Sequence, residues 1–319
     1  MESPVSPAAV ILGASALLLA AQSPATLTGR IMHRGASDRA LPRHWAYLHE
    51  FRGDSNRVLD STRTDAAGRY RLTIARADTA ARYVVATEYA EVDYFSQPLL
   101  VDRRRLEVDP IIVYDTTSRG AMRLRHRLLA VFRTEPASGR RAQAVVQEMV
   151  EVGNPGERTR IATDTTNPVW TIRLPRGFAE WSLAGGDVTA DAVWLNGDTV
   201  KLFAPIWPDA PLRASYRYTL SPQEIRVPVD QRIEEVTVLV DDSAARVSGV
   251  PLQSLGMREL DGQRFAAYRA GPLEAGAEIR VTLPRGPLTP EDLLPYVIAG
   301  AALALAGGLW FALRRRPAR

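Results

Sequence analysis

His33, His44, His49 and His126 are the only histidines in this 319-residue chain, and it contains no cysteine. Any general-base or transition-metal chemistry would fall to these four imidazoles and to carboxylates. Their spacing does not favour it. No HExxH pair occurs that would set two imidazoles on one helical turn. His44 and His49 are five apart in a strand-like stretch, where an odd separation sends side chains to opposite faces. No GxSxG elbow, P-loop or helix-opening GxGxxG is present. Gly185-Gly186-Asp187 and Asp241-Asp242 have the composition of turns rather than of a catalytic carboxylate pair. The expectation is a chain with no catalytic residues, no cofactor and no metal.

The most pointed local signal is "RTDAAGRYRL", Arg63 to Leu72. Asp65 can cap a turn through its carboxylate, and Gly68 can take the positive φ that reverses the chain. A calcium loop would need a run of alternating oxygen ligands, and Ala66 and Ala67 stand in its middle. Asp65 and Gly68 are therefore expected to make a structural hairpin turn. Two side-chain sets could bind partners. Arg123, Arg125 and Arg127 in "MRLRHRLL" alternate as on one strand face and follow Arg119. They form either a solvated face or a docking surface for anionic groups. Trp170, Trp181, Trp194 and Trp207 are either core residues or a sugar-stacking platform.

Those residues must be positioned by sheets. Between about 26 and 288 the pattern is period-2 alternation broken by Gly, Pro, Asp and Asn. Trp45, Tyr47 and Phe51 share one face of a strand. The rhythm returns at Tyr70/Leu72/Ile74, Trp170/Ile172/Leu174, Tyr216/Tyr218/Leu220 and Ile279/Val281/Leu283. Many short strands with frequent turns predict a mainly β protein of tandem antiparallel β-sandwiches. A polar patch, Asp115 to Gly120, divides a first domain over 26–116 from a second region over 117–288. A further break at Ser221-Pro222-Gln223 would split the latter.

Within the first domain, "LTGRI" at 27–31, "TDAAGRYRL" at 64–72 and "ARYVVATEY" at 81–89 resemble the carboxypeptidase regulatory-like domain. The matching motif positions are Gly29, Thr64, Asp65, Gly68 and Tyr70. The resemblance implies a transthyretin-like seven-stranded sandwich with a binding or spacer role and no catalytic residues. The chain departs from the pattern in "HRGASDRALPRH" after the first strand, which lacks the common small-residue turn.

The ends differ from the body. The uncharged run Ala8–Ala21 is too short for a bilayer but suits the core of a signal peptide over 1–25, with small residues for cleavage after Ala21 or Ala25. Glu2 stands where a basic residue is usual. Leu293 to Leu313 carries no charge over 21 residues, and "RRRPAR" follows at once. At a rise of about 1.5 Å per residue this run crosses a hydrocarbon core of about 30 Å. Thr289-Pro290-Glu291-Asp292 supplies the start signal for a transmembrane helix over 289–313. Tyr296 and Trp310 would lie at the membrane interfaces, and Arg314, Arg315 and Arg316 would hold a basic tail, 314–319, in the cytoplasm. Gly300, Ala304 and Gly308 are four apart and thin one helix face, either for packing against another helix or as part of a mildly apolar anchor.

Composition completes the picture. The chain is 46% hydrophobic and carries a net charge of +4 with the signs interspersed, so it is globular and no nucleic-acid partner is expected. Without cysteine, stability rests on hydrophobic cores, which suits a body exported to a bacterial periplasm. The expected protein is a non-enzymatic, single-pass accessory or scaffold subunit of the inner membrane. Its partners would be the lipid bilayer and a larger membrane complex: respiratory, photosynthetic reaction-centre and antenna, or envelope machinery. The competing expectation is a surface binding module for glycan or peptide.

Overall fold

Alternation at period 2 puts apolar side chains on one side of each strand, and strands of this kind bury that side by stacking sheets. The computed structural model describes residues 24–284 apart from Ala36, Asp54, 135–142, Asp209, 221–224 and Asp261. The expected signal peptide, the break at 221–223 and the transmembrane segment with Tyr296, Gly300, Ala304, Gly308, Trp310 and Arg314–Arg316 lie outside the described residues. No helix among those described is long and apolar enough to cross a membrane. The described chain is mainly β, built as sandwiches, and divides along the sequence into two compact units, with the boundary between Asp115 and Thr116.

The first unit holds β1 (Ala25–Arg34), β2 (Arg39–Ala40), β3 (Trp45–Arg52), β4 (Ser55–Arg63) and β5 (Arg69–Ile74). It continues with β6 (Arg82–Tyr89), β7 (Val92–Phe95), β8 (Arg105–Glu107) and β9 (Ile111–Tyr114). One sheet is built around β1, which pairs antiparallel with β2 and β5 and parallel with β8 and β9. The other has the order β4-β3-β6-β7 and is antiparallel. Leu27, Ile31, Leu72 and Ile74 from the first sheet and Leu48, Val85 and Tyr94 from the second are buried. Trp45, Tyr47 and Phe51 do share one face of β3, but it is the outward one; Ala46, Leu48 and Glu50 point inward.

The turn at 64–69 is closed by its own side chains. Asp65 Oδ1 accepts hydrogen bonds from the amides of Ala67 at 2.8 Å and Arg69 at 2.9 Å. The Arg69 amide first, then that of Ala67, holds the carboxyl below its ordinary range despite some desolvation. Thr64 Oγ1 accepts from the His44 amide at 2.9 Å and donates to the Leu41 carbonyl at 2.5 Å, tying the turn to the neighbouring loop. Gly68 has φ +71°, and a Cβ there would stand 2.6 Å from the Ile31 carbonyl oxygen. Gly29 is needed for a different reason: it lies opposite Tyr70, and the phenol occupies the space its Cβ would fill.

The second unit contains β10 (Thr116–Thr117), β11 (Arg123–Thr134), β12 (Gln143–Gly153), β13 (Thr159–Arg160), β14 (Trp170–Arg173) and β15 (Ala179–Gly186). Then follow β16 (Val193–Asn196), β17 (Thr199–Leu202), β18 (Leu212–Leu220), β19 (Ile225–Pro228), β20 (Ile233–Val240) and β21 (Arg246–Ser248). The last strands are β22 (Gln253–Leu260), β23 (Gln263–Ala270) and β24 (Glu278–Thr282). A seven-stranded sheet, β15-β18-β12-β11-β20-β23-β22, is the platform, with β11 and β20 its one parallel pair. Two three-stranded sheets, β14-β17-β16 and β19-β24-β21, carry the remaining core strands. A single hydrophobic cluster runs from Leu124 to Leu283, so strands on both sides of 221–224 share one core. The alternating triplets of this unit end up inside: Trp170/Ile172/Leu174, Tyr216/Tyr218/Leu220 and Ile279/Val281/Leu283 are buried.

Replacing Gly68 with Val combines a strained positive φ with a clash against backbone and should destabilise the protein by at least about 2 kcal/mol. Asp65→Ala, which removes a surface cap only, should cost less. Thermal unfolding followed by circular dichroism checks both the order and the size.

Candidate functional site

The arginine row predicted on one face of β11 is not one row. Arg123 pairs with Gly153 and Leu124 with Val152, but the next pair is His126 with Glu151, so Arg125 is an extra, bulged residue. A bulge shifts the side-chain phase of everything beyond it. Arg123 and Arg125 stay exposed while Arg127 turns into the core, where its side chain has no exposed surface. Arg125 lies 3.8 Å from the Glu151 carboxylate, which also holds Arg213 at 3.1 Å. Arg119 lines an open cleft of about 360 Å³ together with Arg158 and Glu157. The bulge removes Arg127 from the expected row of four and leaves Arg119, Arg123 and Arg125 exposed, with Arg125 near the Glu151 carboxylate.

Inside, Arg127 meets a carboxylate that the sequence did not announce. The inward residues of β12 are Ala144, Val146, Glu148, Val150 and Val152, and Glu148 is completely buried among them. Arg127 Nε donates to Glu148 Oε1 at 2.7 Å, and Arg127 Nη1 donates to the Pro228 carbonyl of β19 at 2.7 Å. From β18, the Tyr216 hydroxyl donates to Oε1 at 2.6 Å and the Tyr218 hydroxyl to Oε2 at 2.9 Å. Burial opposes the Arg127 charge, but the adjacent carboxylate more than offsets this and raises its pKa. Desolvation, reinforced by Glu148, pushes both phenols well above their ordinary values, so they stay protonated donors. The arrangement is a fully buried charge pair tying three strands of one sheet to the edge of another.

The first unit repeats the theme nearer its surface. Glu50 is buried and accepts from Arg57 at 2.7 Å, Arg52 at 3.3 Å and the Tyr83 hydroxyl at 3.1 Å. Desolvation raises its pKa, and the hydrogen bonds from Arg57, Arg52 and Tyr83 outweigh that, leaving it below the ordinary value. Both arginines are half-exposed, so this pair sits at the rim of the core.

The histidines are individually occupied. His33 Nε2 lies 3.0 Å from Asp115 Oδ1, to which the Tyr89 hydroxyl donates at 3.2 Å. His44 Nε2 meets the Glu88 carbonyl at 2.7 Å, and both His33 and His44 pack against the Tyr89 ring. His49 contacts Asn56 and His126 contacts Thr237. Among the described residues no group of three or more metal-ligating side chains converges. Asp242 Oδ1 accepts from the Ala244 amide in a local turn, whereas Asp187 Oδ2 accepts from the Arg213 amide of the neighbouring strand β18.

The four tryptophans do not make one platform. Trp170 is buried, with its indole N–H donating to Gln231 at 2.7 Å. Trp194 lies on the opposite face of the same small sheet, because Trp170 and Val193 both oppose Leu202 whereas Trp194 opposes Lys201. Trp181 belongs to the large sheet and packs against Tyr216. Exposed aromatics gather instead on the outer face of β3. Trp45 and Tyr47 lie 6.0 Å apart with ring planes 23° from parallel, and Phe95 on β7 is exposed on the same face, with Ala86 of β6 between it and Tyr47. The Arg63 guanidinium sits 4.6 Å from the Trp45 ring centre, a cation–π contact.

Glu148→Leu strands a buried guanidinium and Arg127→Met strands a buried carboxylate; each should cost about 3–5 kcal/mol. The double variant removes both charges and should recover most of the loss, a coupling that urea titration of the four proteins measures. Glu50 gives a pH signature. Its folded pKa is depressed, so its contribution is complete above the unfolded value near 4.5 and is lost as pH falls through the folded value. Glu50→Gln should therefore destabilise most at neutral pH, and the gap to the parent protein should close in acid.

No family model matches the chain, and no curated protein matches it. Among solved structures it is similar to the major plantain pollen allergen Pla l 1, at 14% identity over 29% of this chain and 94% of that one, with a TM-score of 0.21. It is also similar to the major pilin SpaA of Corynebacterium diphtheriae, at 10% identity over 82% of this chain and 86% of that one, again with a TM-score of 0.21. Scores this low bear on neither topology nor function.

Proposed function

We propose that the chain is a non-catalytic accessory subunit of a larger membrane assembly, with a β-sandwich body outside the cytoplasm and a single C-terminal span. The observation that carries the reading is the 21-residue uncharged run Leu293–Leu313 followed directly by Arg314, Arg315 and Arg316. The body supports it by the use it makes of its buried charges. Arg127, Glu148 and Glu50 spend their hydrogen bonds on neighbouring strands, which is the economy of a rigid spacer rather than of a reaction site. The first unit is taken as a carboxypeptidase regulatory-like domain on Gly29, Thr64, Asp65, Gly68 and Tyr70, each of which has a packing or turn role.

In this reading the span docks as well as tethers. Gly300, Ala304 and Gly308 would let a partner helix approach closely, where dispersion contacts drive association in lipid. A pure tether gains nothing from thinning one face.

A second reading, a glycan-binding module, is favoured by the near-parallel Trp45 and Tyr47 rings on an outer sheet face. Sugar rings stack on such surfaces through their apolar faces. Saturable quenching of tryptophan fluorescence by oligosaccharide, abolished by Trp45→Ala, would favour that reading over the first.

Gly300→Leu combined with Gly308→Leu should forfeit packing worth on the order of 1 kcal/mol or more and release the protein from its assembly while leaving it in the membrane. Exchange of the whole span for an unrelated Leu-rich helix should do the same. Co-purification in mild detergent measures this; wild-type stoichiometry for either variant would leave docking to the body alone.

A further inference from the structure

β11 begins at Arg123, and the residues just before it, 119–122, overhang the seven-stranded sheet without a neighbouring strand. On one flank β12 ends at Gly153, opposite Arg123. On the other, β20 begins at Ile233, opposite Leu124. Among the described residues, no hydrogen bond reaches the backbone N–H or C=O groups of Gly120, Ala121 or Met122. Gly120 and Ala121 are exposed, so these groups are open to a partner that brings its own backbone. Each flank is a cleft where a sheet neighbour would otherwise have continued. The first, of about 360 Å³, lies between the 117–122 segment and the 154–158 loop. The second, of about 360 Å³ also, lies between 120–122 and a wall formed by 168–171, Asp230 and Gln231.

The two flanks differ in charge. Arg119 and Arg158 both line the first cleft. Glu157 shares it, yet neither guanidinium forms an ion pair with Glu157 or with any other described carboxylate. The far wall is held in shape by Asn154. Its side-chain amide donates to the Arg158 carbonyl at 2.7 Å and to the Ile206 carbonyl at 2.8 Å, while Oδ1 accepts from the Gly156 amide at 2.9 Å. Arg160 adds a third positive charge nearby. It lies opposite Thr117 in the β10–β13 pair, so the two side chains leave the strands on the same side. Its Nη1 donates to the Ile161 carbonyl, but its Nε is buried without a partner. Burial lowers the pKa of Arg160, and no carboxylate opposes that. A partly desolvated cation without a counter-charge is a standing cost that an arriving anion relieves. The second cleft is of opposite sign, since the Asp230 carboxylate stands in it, accepting from the Arg173 amide at 2.9 Å.

We propose that the first cleft binds an extended acidic segment of a partner protein, added as a strand beside 119–122 with a carboxylate held between Arg119 and Arg158. The peptide takes the place that β12 vacates after Gly153. Its backbone pairs with the free groups of 120–122, and side-chain recognition comes from the arginines, the division of labour usual in strand addition. Guanidinium groups fork a carboxylate with two hydrogen bonds, so an acid is read by shape as well as by charge. Asp230 turns acidic segments away from the second flank. The site does not depend on the C-terminal span, and it gives the body a partner-binding surface of its own.

The probe is a dye-labelled, end-capped peptide that alternates glutamate with valine, titrated with full-length protein in neutral detergent and read by fluorescence anisotropy. It should bind at least about tenfold more tightly than the same peptide with glutamine for glutamate, the difference one charge-assisted contact makes. Arg119 and Arg158 are exposed, so Arg119→Glu combined with Arg158→Glu should leave thermal unfolding unchanged. That variant should lose the glutamate peptide and gain affinity for a lysine–valine one. Alternate N–H groups of an added strand face the protein. Methylating the backbone nitrogens of the glutamates alone, or of the valines alone, should therefore weaken binding in one case only. Equal affinity of both methylated peptides, or displacement by inorganic phosphate at fixed ionic strength, would reduce the cleft to a plain anion site and overturn the added strand. Binding retained by the double variant, or equal binding of the glutamate and glutamine peptides, would overturn the site itself.

Discussion

The buried contact between Arg127 and Glu148 constrains more of the second unit than any other interaction. Glu148 follows the inward alternation of β12, between Val146 and Val150, so the pleat alone commits its carboxylate to the core. An unpaired carboxylate there would be prohibitive, and a cation must reach it. β11 runs beside it, but in an unbroken strand Leu124 and Arg127 would face opposite ways. The extra residue at Arg125 puts both inside. The two phenols of β18 then fill lone pairs of the same carboxylate, and the Pro228 carbonyl takes a further guanidinium hydrogen. Four strands are placed by one charge pair.

Hydrophobicity could not have made that choice. Beyond Arg127 the strand reads Leu128-Leu129-Ala130-Val131-Phe132, apolar in either phase. Apolar burial alone does not favour Leu129 and Val131 over Leu128, Ala130 and Phe132. A buried polar pair earns its place in such a case as a register device, since a slip of one residue would put Arg127 in water and leave Glu148 alone. Replacing it by apolar residues would lose that discrimination whatever it did to stability.

What was legible in the sequence follows the same division. Tyr70/Leu72/Ile74 and Tyr216/Tyr218/Leu220 alternate cleanly between apolar and polar neighbours, and each triplet is buried. The turn at Asp65 and Gly68 has local chemistry and could be read locally. Arg127 could not, because its position depends on a bulge whose reason, Glu148, lies 21 residues away in sequence and on another strand. The aromatic face of β3 was visible as a stripe, but alternation does not say which side faces water. Ala46, Leu48 and Glu50 took the inside because Glu50 finds Tyr83 directly across the sheet and two arginines at its rim. In each failure the deciding contact was long-range and polar.

The outer apolar cluster is then a consequence of the inner charge pair. Once Arg127 is fixed inward, Leu128 and Phe132 have only the outer face left, and Leu239 and Phe265 on the neighbouring strands extend it. A chain selected only for a soluble sandwich would place polar residues at those outward positions; β12 does so with Gln147 and Glu151 but keeps Val145 and Met149 apolar opposite Phe132 and Leu128. β11 keeps them apolar at the end of the unit from which the chain departs toward Leu293, and polar at the other, where Arg123, Arg125 and His126 stand. The gradient runs along one strand, within one sheet, so it reflects neither strand type nor general burial. It gives the unit two chemically distinct ends on its outer face. The bulge is the point at which one passes into the other.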